Sequence, residues 1–383
     1  MKKKYILFVF VVIASVIFTG CFNFVNTNLN NQTTSNQTQN TTTNIDQSVS
    51  MPKSTNSIYQ IPQSVPENAT PTEIVNAYID CVVTVFVVNF NDVELSFGSG
   101  ICVYSGGYIL TNNHVVESVL SNPTYELRVC TNGESSSYYA EVLWTDKNLD
   151  IAIIQCQNGD IPYVEISDRL IESSNPLQLL EPVIAIGTPL DYSLQNSCTY
   201  GYISGLNRYT TSDGDVYEQL IQHTASISNG NSGGPLFDMY GNLIGLNTLG
   251  SIDGNDIYFA VPVYAAQVIL DKVVKLNEKE PRQTFNLPQL GITLCDKIMC
   301  LVYEQPYIDK DGVCVMSVTV GGNSYSKLQV GDIITSIDIG SLNYSIICRN
   351  DLIYALMLAE NSESIIINFQ RNNKSQSVKI TLI

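Results

Sequence analysis

Histidine and basic residues are scarce in this chain of 383 residues. Only two histidines occur, and 19 Lys and Arg stand against 36 Asp and Glu, which gives a formal net charge of −17. A His-rich metal site is therefore excluded, and any catalytic histidine must be His114 or His223. The acidic balance also argues against nucleic-acid binding, because nucleic-acid binders need a basic face.

Charged residues of all kinds make up only 14% of the chain, whereas 44% is apolar, as in an ordinary globular protein. The composition excludes collagen-like, coiled-coil and wholly disordered chains, and the length predicts two or three domains. No two of the ten cysteines have CxxC spacing, which disfavours zinc ribbons and thioredoxin-type redox motifs. We therefore expect no metal and no cofactor. Nine cysteines follow Cys21, an odd number, and their pairing stays open.

The N-terminus has the three parts of an export signal. Lys2, Lys3 and Lys4 precede an apolar run over 5–19, too short for a comfortable membrane span, and small residues follow. Thr19-Gly20-Cys21 resembles a bacterial lipoprotein processing site, which implies a signal peptide over 1–20 and acylation of the Cys21 sulfur. We expect an extracytoplasmic, membrane-anchored lipoprotein, at the cell surface or in the periplasm. An uncleaved anchor and a plain secretory signal are the alternatives.

A polar segment follows this signal. Residues 22–50 hold 22 Asn, Thr, Gln or Ser out of 29, and prolines recur up to Pro71. Such a segment cannot bury enough apolar surface to offset chain ordering. It predicts a disordered tether over 21–72, with a random-coil span of about 40 Å.

The next 200 residues are rich in short β-strand signals. A β-branched run spans 82–88, and the turn Ser105-Gly106-Gly107 separates the apolar runs 101–104 and 108–110. Short strands with frequent turns predict an all-β barrel or sandwich. No alternation of strands and helices appears, so a parallel α/β sheet is disfavoured.

Three residues in this region have the chemistry of acyl transfer. His114 follows a strand–turn–strand, Asp150 precedes an apolar run, and Ser232 lies in the glycine-rich segment 230–235. A serine nucleophile needs a histidine to take its proton, a carboxylate to orient that histidine, and donors for the oxyanion. Each residue alone is ordinary in a loop. The order His, Asp, Ser, with gaps of 36 and 82 residues, is the chymotrypsin-type order.

Sequence blocks between about 80 and 265 resemble those of the HtrA/Deg serine proteases. The blocks are Gly98–Gly100, Thr111–Val116, Ala185–Pro189, Gly201–Gly205, Ile221–Leu236, Asn247–Thr248 and Phe259–Pro262. The resemblance implies a trypsin-like serine protease domain over 73–275, mainly β. Its chymotrypsin-like fold would consist of two six-stranded β-barrels with the catalytic residues in the cleft between them.

The same resemblance assigns roles to individual residues. Ser232 would be the nucleophile, His114 the general base and then acid, and Asp150 the group that orients it. The backbone N–H groups of Gly230 and Ser232 would form the oxyanion hole. Substrate-binding positions would be Ile227, Asn231, Asn247, Thr248 and Leu249. The apolar Ile227 on the wall of the primary pocket favours small or medium apolar side chains.

This sequence departs from the family pattern at Thr224, at Ser228-Asn229 and in the segment 191–196. These departures put regulation and local support in doubt more than the chemistry. His223 is expected to be a partly exposed barrel residue.

The C-terminal part resembles a PDZ domain over 285–383, a small α/β domain. A helical pattern over 265–275 precedes a linker over 276–284, and Val330–Ile334 carries the most specific match. A short amphipathic helix over 350–359 and a closing hairpin complete the pattern. The resemblance implies that backbone N–H groups around Leu290, Gly291 and Ile292 bind the C-terminal carboxylate of a peptide, which adds as a strand beside that helix. A generic small α/β domain is the alternative.

We therefore expect an exported, membrane-tethered serine endopeptidase of protein quality control that cleaves unfolded or damaged proteins and binds peptide C-termini at its PDZ domain. A holdase or peptide-binding scaffold with a dormant protease domain is the main alternative. A lipase or esterase is a weaker one, because the strand–Ser–helix elbow and the order Ser, Asp, His are missing. Homotrimers are common in the family, and no feature of this sequence decides whether this chain forms one.

Overall fold

The computed structural model describes residues 65–382 apart from residues 67, 134–135, 158–159, 167–175, 213–214, 251–255, 280–284, 286, 303–310 and 361–362. The predicted signal peptide, the lipidation residue Cys21 and the tether up to residue 64 lie outside the described residues. Within the described part of the chain, no helix combines the length and the apolarity needed to cross a membrane.

Six antiparallel strands form a first closed barrel, in the order β1-β2-β3-β6-β5-β4. They are β1 (Val82–Val88), β2 (Glu94–Tyr104), β3 (Tyr108–Thr111), β4 (Glu126–Cys130), β5 (Ser137–Asp146) and β6 (Ile151–Cys156). The β-branched run of β1 lies between β2 and β4, and six of its seven residues are buried. Helix α2 (Asn113–Ser121) connects β3 to β4.

A second closed barrel follows in the order β10-β11-β12-β9-β8-β7. Its strands are β7 (Pro182–Gly187), β8 (Ser197–Ser212), β9 (Asp215–His223), β10 (Pro235–Asp238), β11 (Leu243–Gly250) and β12 (Tyr258–Pro262). The prediction of a chymotrypsin-like double barrel is confirmed by this topology.

Two helices outside the barrels pack on them. Helix α1 (Pro71–Tyr78) has a capping box formed by Thr70 and Glu73, and it begins inside the predicted tether. Tyr78 at its end stacks on Phe237 of β10, with ring centroids 5.0 Å apart. Helix α3 (Tyr264–Lys279) continues four residues into the predicted linker over 276–284. Apolar residues of both helices join those of both barrels in one hydrophobic cluster.

The rest of the described chain forms a third sheet with its own hydrophobic core. The sheet runs in the order β13-β14-β15-β17-β18, and β16 pairs with β15. Asn372 and Asn373 both have positive φ, as a two-residue hairpin turn between β17 and β18 requires. The elements are β13 (Ile292–Cys295), α4 (Lys297–Val302), β14 (Val313–Val318), β15 (Ile333–Ile339), β16 (Leu342–Ser345), α5 (Arg349–Leu358), β17 (Ser364–Arg371) and β18 (Lys374–Thr381).

Helix α5 of this small α/β unit contacts strand β9 of the second barrel. The guanidinium of Arg349 donates to the Val216 carbonyl over 3.0 Å. Gln219 donates to the carboxylate of Asp351 over 2.8 Å. Polar side chains make part of this contact, and Met357 of α5 also joins the large apolar cluster of the barrels.

Candidate active site

Neighbouring strands bring His114 and Asp150 together. His114 is the second residue of α2, just after β3, and Asp150 immediately precedes β6. These two strands are antiparallel neighbours, with Thr111 opposite Ala152. The end of β3 and the start of β6 consequently lie side by side, which places two residues 36 positions apart in contact.

The imidazole of His114 is held by the Asp150 carboxylate. Nδ1 lies 3.0 Å from Oδ1 and 3.0 Å from Oδ2 of Asp150. The backbone N–H of His114 donates to Oδ1 over 3.1 Å. The His114 side chain is 33% exposed and that of Asp150 is 1% exposed. This arrangement fixes the ring and leaves its other nitrogen, Nε2, without a hydrogen-bond partner among the described residues.

Two further donors satisfy Asp150. Thr248 Oγ1 of the second barrel donates to Asp150 Oδ2 over 2.7 Å. Asn112 Nδ2 donates to the backbone carbonyl of Asp150 over 2.8 Å. A buried carboxylate costs much free energy unless it is paired and hydrogen-bonded, and the contacts from His114 and Thr248 meet that requirement.

Asp150 also sets the protonation of His114. Burial disfavours the imidazolium, but the hydrogen bond and the negative charge of Asp150 outweigh it, and Glu117 adds to them. The pKa of His114 therefore lies above its ordinary value of 6.5. The raised pKa makes the neutral imidazole a better proton acceptor.

Ser232 lies in the tight segment between β9 and β10. Gly230 and Gly233 flank it with φ of 96° and 84°, in the left-handed region that favours glycine. A Cβ atom on either glycine would overlap backbone of Thr188 or Ser99. The Gly233 N–H donates to the Asn247 carbonyl over 2.8 Å. The glycines thus allow a turn that other residues would not fit.

The Ser232 hydroxyl donates to the carbonyl of Thr248 over 3.0 Å. Thr248 therefore contacts Ser232 through its backbone and Asp150 through its side chain. No hydrogen bond joins Ser232 directly to His114 among the described residues. His114 and Asp150 are therefore in direct contact, whereas Thr248 links Asp150 to Ser232.

Two backbone N–H groups in the Ser232 segment have no acceptor within the described part of the chain. The N–H groups of Gly230 and Ser232 make no hydrogen bond within the described part of the chain. The neighbouring carbonyl of Asn229 is occupied by the Leu190 N–H, at 2.7 Å. These N–H groups are thus available to an oxygen of a bound molecule.

Ser99 is a supporting residue that the sequence did not single out. Its hydroxyl donates to the Gly230 carbonyl over 2.7 Å and accepts from the Thr188 N–H over 2.9 Å. Its backbone N–H donates to the Ser232 carbonyl over 2.7 Å. Ser99 is buried on β2, so it ties the Ser232 segment to the first barrel. In the sequence, only its position between Gly98 and Gly100 indicated that Ser99 could support the site.

The unusual segment 191–196 is attached to the first barrel. A 3₁₀ turn spans Tyr192–Leu194. Gln195 Nε2 then donates to Thr84 Oγ1 over 3.1 Å and to the Cys130 carbonyl over 3.3 Å. This segment follows Leu190, whose N–H holds the Asn229 carbonyl, so its attachment supports the backbone beside Gly230.

The predicted substrate-binding positions differ in exposure. Asn247 is buried, and its amide donates to the carbonyls of Gly234 and Pro235, so it supports the Ser232 segment. Ile227 is half-buried against the core of the second barrel, and Leu249 is half-buried against the large cluster. Asn231 is buried, with Oδ1 unpartnered in the described part of the chain.

Strand β11 has an open side beyond Leu246. Strand β10 pairs with it only up to Pro235 opposite Leu246, while β12 continues on the other side as far as Gly250. The backbone of 248–249 therefore has a strand neighbour on one side alone among the described strands. An extended peptide fits such an edge.

In the third sheet, the predicted carboxylate-binding segment forms a tight turn before β13. Gly291 has φ of 68°, and its carbonyl accepts from the Thr319 N–H over 2.8 Å. The Leu290 carbonyl accepts from the Ser324 N–H over 3.1 Å. The N–H groups of Leu290 and Gly291 make no hydrogen bond within the described residues, and Ile292 begins β13.

His223 lies away from these groups. It is completely buried at the end of β9, so the expectation of a partly exposed residue is wrong. Burial lowers its pKa to about 4. The barrel closes around β9 between β8 and β12, and this closure excludes water from the ring.

Known proteins resemble this chain in sequence. A protein-family model described as a trypsin-like peptidase domain matches residues 98–246. A probable periplasmic serine endoprotease, DegP-like, of Pseudomonas putida (strain W619) is 30% identical over 294 residues, covering 75% of this chain and 56% of that protein. A serine protease, HtrA-like, of Staphylococcus aureus (strain NCTC 8325) is 30% identical over 305 residues, covering 74% of this chain and 37% of that protein. The chain spans about half the length of the first of these relatives.

Solved structures resemble the chain in fold. The crystal structure of the serine endoprotease from Yersinia pestis matches with a TM-score of 0.55 and 25% identity, covering 82% of this chain and 97% of that one. The HtrA-type protease AlgW with tripeptide matches with a TM-score of 0.59 and 23% identity, covering 82% and 97%. At 23% identity, the match to AlgW shows a similarity of fold alone.

Proposed function

We propose that this chain is an HtrA-type serine endopeptidase that cleaves unfolded or damaged polypeptides with Ser232, His114 and Asp150. Support comes from the match to a trypsin-like peptidase domain and from the similarity to HtrA- and DegP-like proteases. The observation that carries the proposal is the contact of His114 Nδ1 with the buried Asp150 carboxylate, at 3.0 Å. This contact fixes a basic imidazole whose Nε2 stays free.

The first step is acylation of Ser232. The Ser232 hydroxyl turns from the Thr248 carbonyl towards His114, and Nε2 takes its proton as Oγ attacks the peptide carbonyl carbon. The resulting imidazolium is stabilised by Asp150, which does not itself take the proton. His114 then gives the proton to the leaving amine, and an ester of Ser232 remains.

The N–H groups of Gly230 and Ser232 stabilise the tetrahedral oxyanion. Neither group has an acceptor among the described residues. The nearby Asn229 carbonyl already accepts from the Leu190 N–H. Loss of one such donor costs about 10²–10³ in rate. In the second step His114 activates a water, which hydrolyses the ester and frees Ser232.

The open side of β11 supports a preference for unfolded chains. A substrate that adds as a strand at 248–249 must present an extended backbone with unpaired N–H and C=O groups. Folded proteins seldom expose such segments, whereas unfolded or damaged ones do. Half-buried Ile227 suits a small or medium apolar side chain, because an apolar wall does not pair with a charge.

The third sheet is proposed to act as a PDZ peptide-binding domain. The free N–H groups of Leu290 and Gly291 suit the C-terminal carboxylate of a peptide. The N-terminal signal and Cys21 are proposed to tether the enzyme to a membrane outside the cytoplasm. Support comes from the lipoprotein-like N-terminal sequence and from the Pseudomonas putida relative, which is described as a probable periplasmic protease.

Digestion of unfolded casein tests the proposed activity. Wild-type protein should degrade it, Ser232→Ala should not, and Ser377→Ala, which removes an exposed hydroxyl on β18, should match the wild type. Equal digestion by Ser232→Ala would refute the assignment. Binding of casein without cleavage by the wild type would instead favour the scaffold alternative.

A further inference from the structure

Three cysteines meet at one end of the third sheet. Cys295 ends β13, Cys300 lies in α4, and Cys314 lies on β14 opposite Cys295. Cys295 and Cys300 are each 3% exposed and pack with Met299 and Ile333 in a small cluster of their own. Cys314 borders this cluster and is half-buried. The clustering brings thiols together in a part of the chain that the catalytic chemistry does not use.

The Sγ atoms of Cys295 and Cys300 lie 2.8 Å apart. Both residues are free thiols in the structure, and their separation exceeds the disulfide bond length of about 2.05 Å by less than one ångström. The backbone holds the two residues in place, because the Cys300 N–H donates to the Asp296 carbonyl over 2.9 Å in the first turn of α4. We propose that Cys295 and Cys300 form a disulfide bond in the exported protein.

The bond forms by thiol–disulfide exchange with an external disulfide, as a disulfide oxidoreductase outside the cytoplasm carries. The thiolate of one cysteine attacks that disulfide, which gives a mixed disulfide and releases one external thiolate. The thiolate of the second cysteine then attacks the protein sulfur and releases the other. The external S–S bond is reduced to two thiols, which receive the two cysteine protons, as the Cys295–Cys300 bond forms.

The bond belongs to folding rather than to a later switch. Burial, and then the neighbouring Cys300, raise the pKa of Cys295 to about 12. The folded thiol is therefore almost never a thiolate, which is the reactive form. Exchange takes place before this region closes, and burial then shields the bond from reductants.

The bond would fix a segment that joins the sheet to α5. Asp296 lies between the two cysteines, and its carboxylate accepts from the Met299 N–H over 2.9 Å and from the Arg349 N–H over 3.0 Å. Arg349 is the first residue of α5. Strand β13 and α5 are the two sides of the peptide groove, so this consequence rests on the proposed PDZ function.

Peptide mapping tests the bond itself. The full-length exported protein is alkylated in denaturant without reductant and then cut with trypsin, which cleaves after Lys297 between the two cysteines. Cys295 falls in fragment 283–297, Cys300 in 298–310 and Cys314 in 311–327. We expect 283–297 joined to 298–310 and released by reductant. Separate alkylated fragments, or a link from either to 311–327, would overturn the proposal.

A stability measurement tests the anchoring. Reductant during refolding should lower the melting temperature of the wild type and of Cys198→Ser, an exposed control, by several degrees. It should leave the Cys295→Ser/Cys300→Ser protein unchanged. A wild type that contains the bond but melts at the same temperature after reduction would contradict the anchoring. Failure to bind any peptide would count against the PDZ function alone, because mapping detects the bond directly.

Discussion

Thr248 of the second barrel donates a 2.7 Å hydrogen bond to the Asp150 carboxylate of the first barrel. Its backbone carbonyl accepts from Ser232. One residue therefore contacts both the group that orients the base and the proposed nucleophile. Because each barrel supplies part of the site, the relative position of the barrels determines whether the parts align.

Removal of the Thr248 hydroxyl should weaken catalysis. Thr248→Val keeps the shape but removes one of the two partners of Asp150 Oδ2, a buried carboxylate oxygen that then keeps only His114 Nδ1. Such a loss costs about 1–3 kcal/mol. If the cost falls on the transition state, kcat/KM drops by about 10–100-fold. Steady-state kinetics on a peptide substrate measure the drop. Thr248→Ser retains the donor and should stay near the wild type; wild-type kinetics in Thr248→Val would show that this bond is dispensable.

The pH profile should follow His114. The neutral imidazole is the base, so kcat/KM falls as the pH drops through the pKa of His114, which Asp150 holds above 6.5 against the opposing effect of burial. Protonated His114 is stabilised by Asp150, and this contribution to the free energy of unfolding is fully present below pH 6.5. It is lost as the pH rises through the folded-state pKa. Asp150→Asn should lower the midpoint and reduce kcat by about 10⁴.

With only two histidines in the chain, NMR titration can follow both rings. We expect one midpoint above 6.5, for His114, and one near 4, for buried His223. A His114 midpoint at or below 6.5 would contradict the effect assigned to Asp150.

The Ser99 hydroxyl should matter for rate more than for folding. Ser99→Ala leaves the Thr188 N–H and the Gly230 carbonyl without their partner beside the oxyanion donors. A loss of about 1–2 kcal/mol corresponds to roughly tenfold or more in kcat. Ser105→Ala, in the turn that follows β2, is the control and should not change kcat. An equal kcat in both variants would remove Ser99 from the supporting groups.

The contact between β9 and the third sheet should weaken at alkaline pH. Burial, and then the acids Asp296 and Asp351, raise the pKa of Glu218 from 4.5 to about 8, against the opposing charge of Arg349. The folded state thus keeps a proton that the unfolded chain has lost, so the free energy of unfolding decreases between pH 4.5 and about 8.

Glu218→Gln should remove this loss. Chemical denaturation should find the variant more stable than the wild type above pH about 8, and closer to it in acid. Glu126→Gln, on a carboxylate paired with Arg128, is the control and should show no alkaline gain. A wild-type stability that does not vary across this range would disprove the protonation of Glu218.

Local patterns predicted much of the fold. The β-branched run 82–88 is β1, the helical pattern over 265–275 lies within α3, and the closing hairpin is β17 and β18. These features depend on periodicity and turn chemistry, which act over a few residues. Helix α1 was missed because its prolines resembled the tether, although Thr70, Pro71 and Glu73 form an N-terminal capping signal.

Contacts distant in sequence were beyond such patterns. The order of His114, Asp150 and Ser232 indicated the chemistry, but it could not show that the Ser232 hydroxyl bonds to Thr248. His114 lies in a helix whose Val115 and Val116 favour a strand by local propensity. Glu218 meets Arg349 only because β9 and α5 pack together, and no local pattern encodes that contact.

Fluorophosphonate labelling, read by mass spectrometry, tests the central claim most directly. The account predicts one adduct, on Oγ of Ser232, that is absent from Ser232→Ala and forms far more slowly in His114→Ala. An adduct on another residue, or equal labelling after loss of His114, would contradict a nucleophile activated by that imidazole.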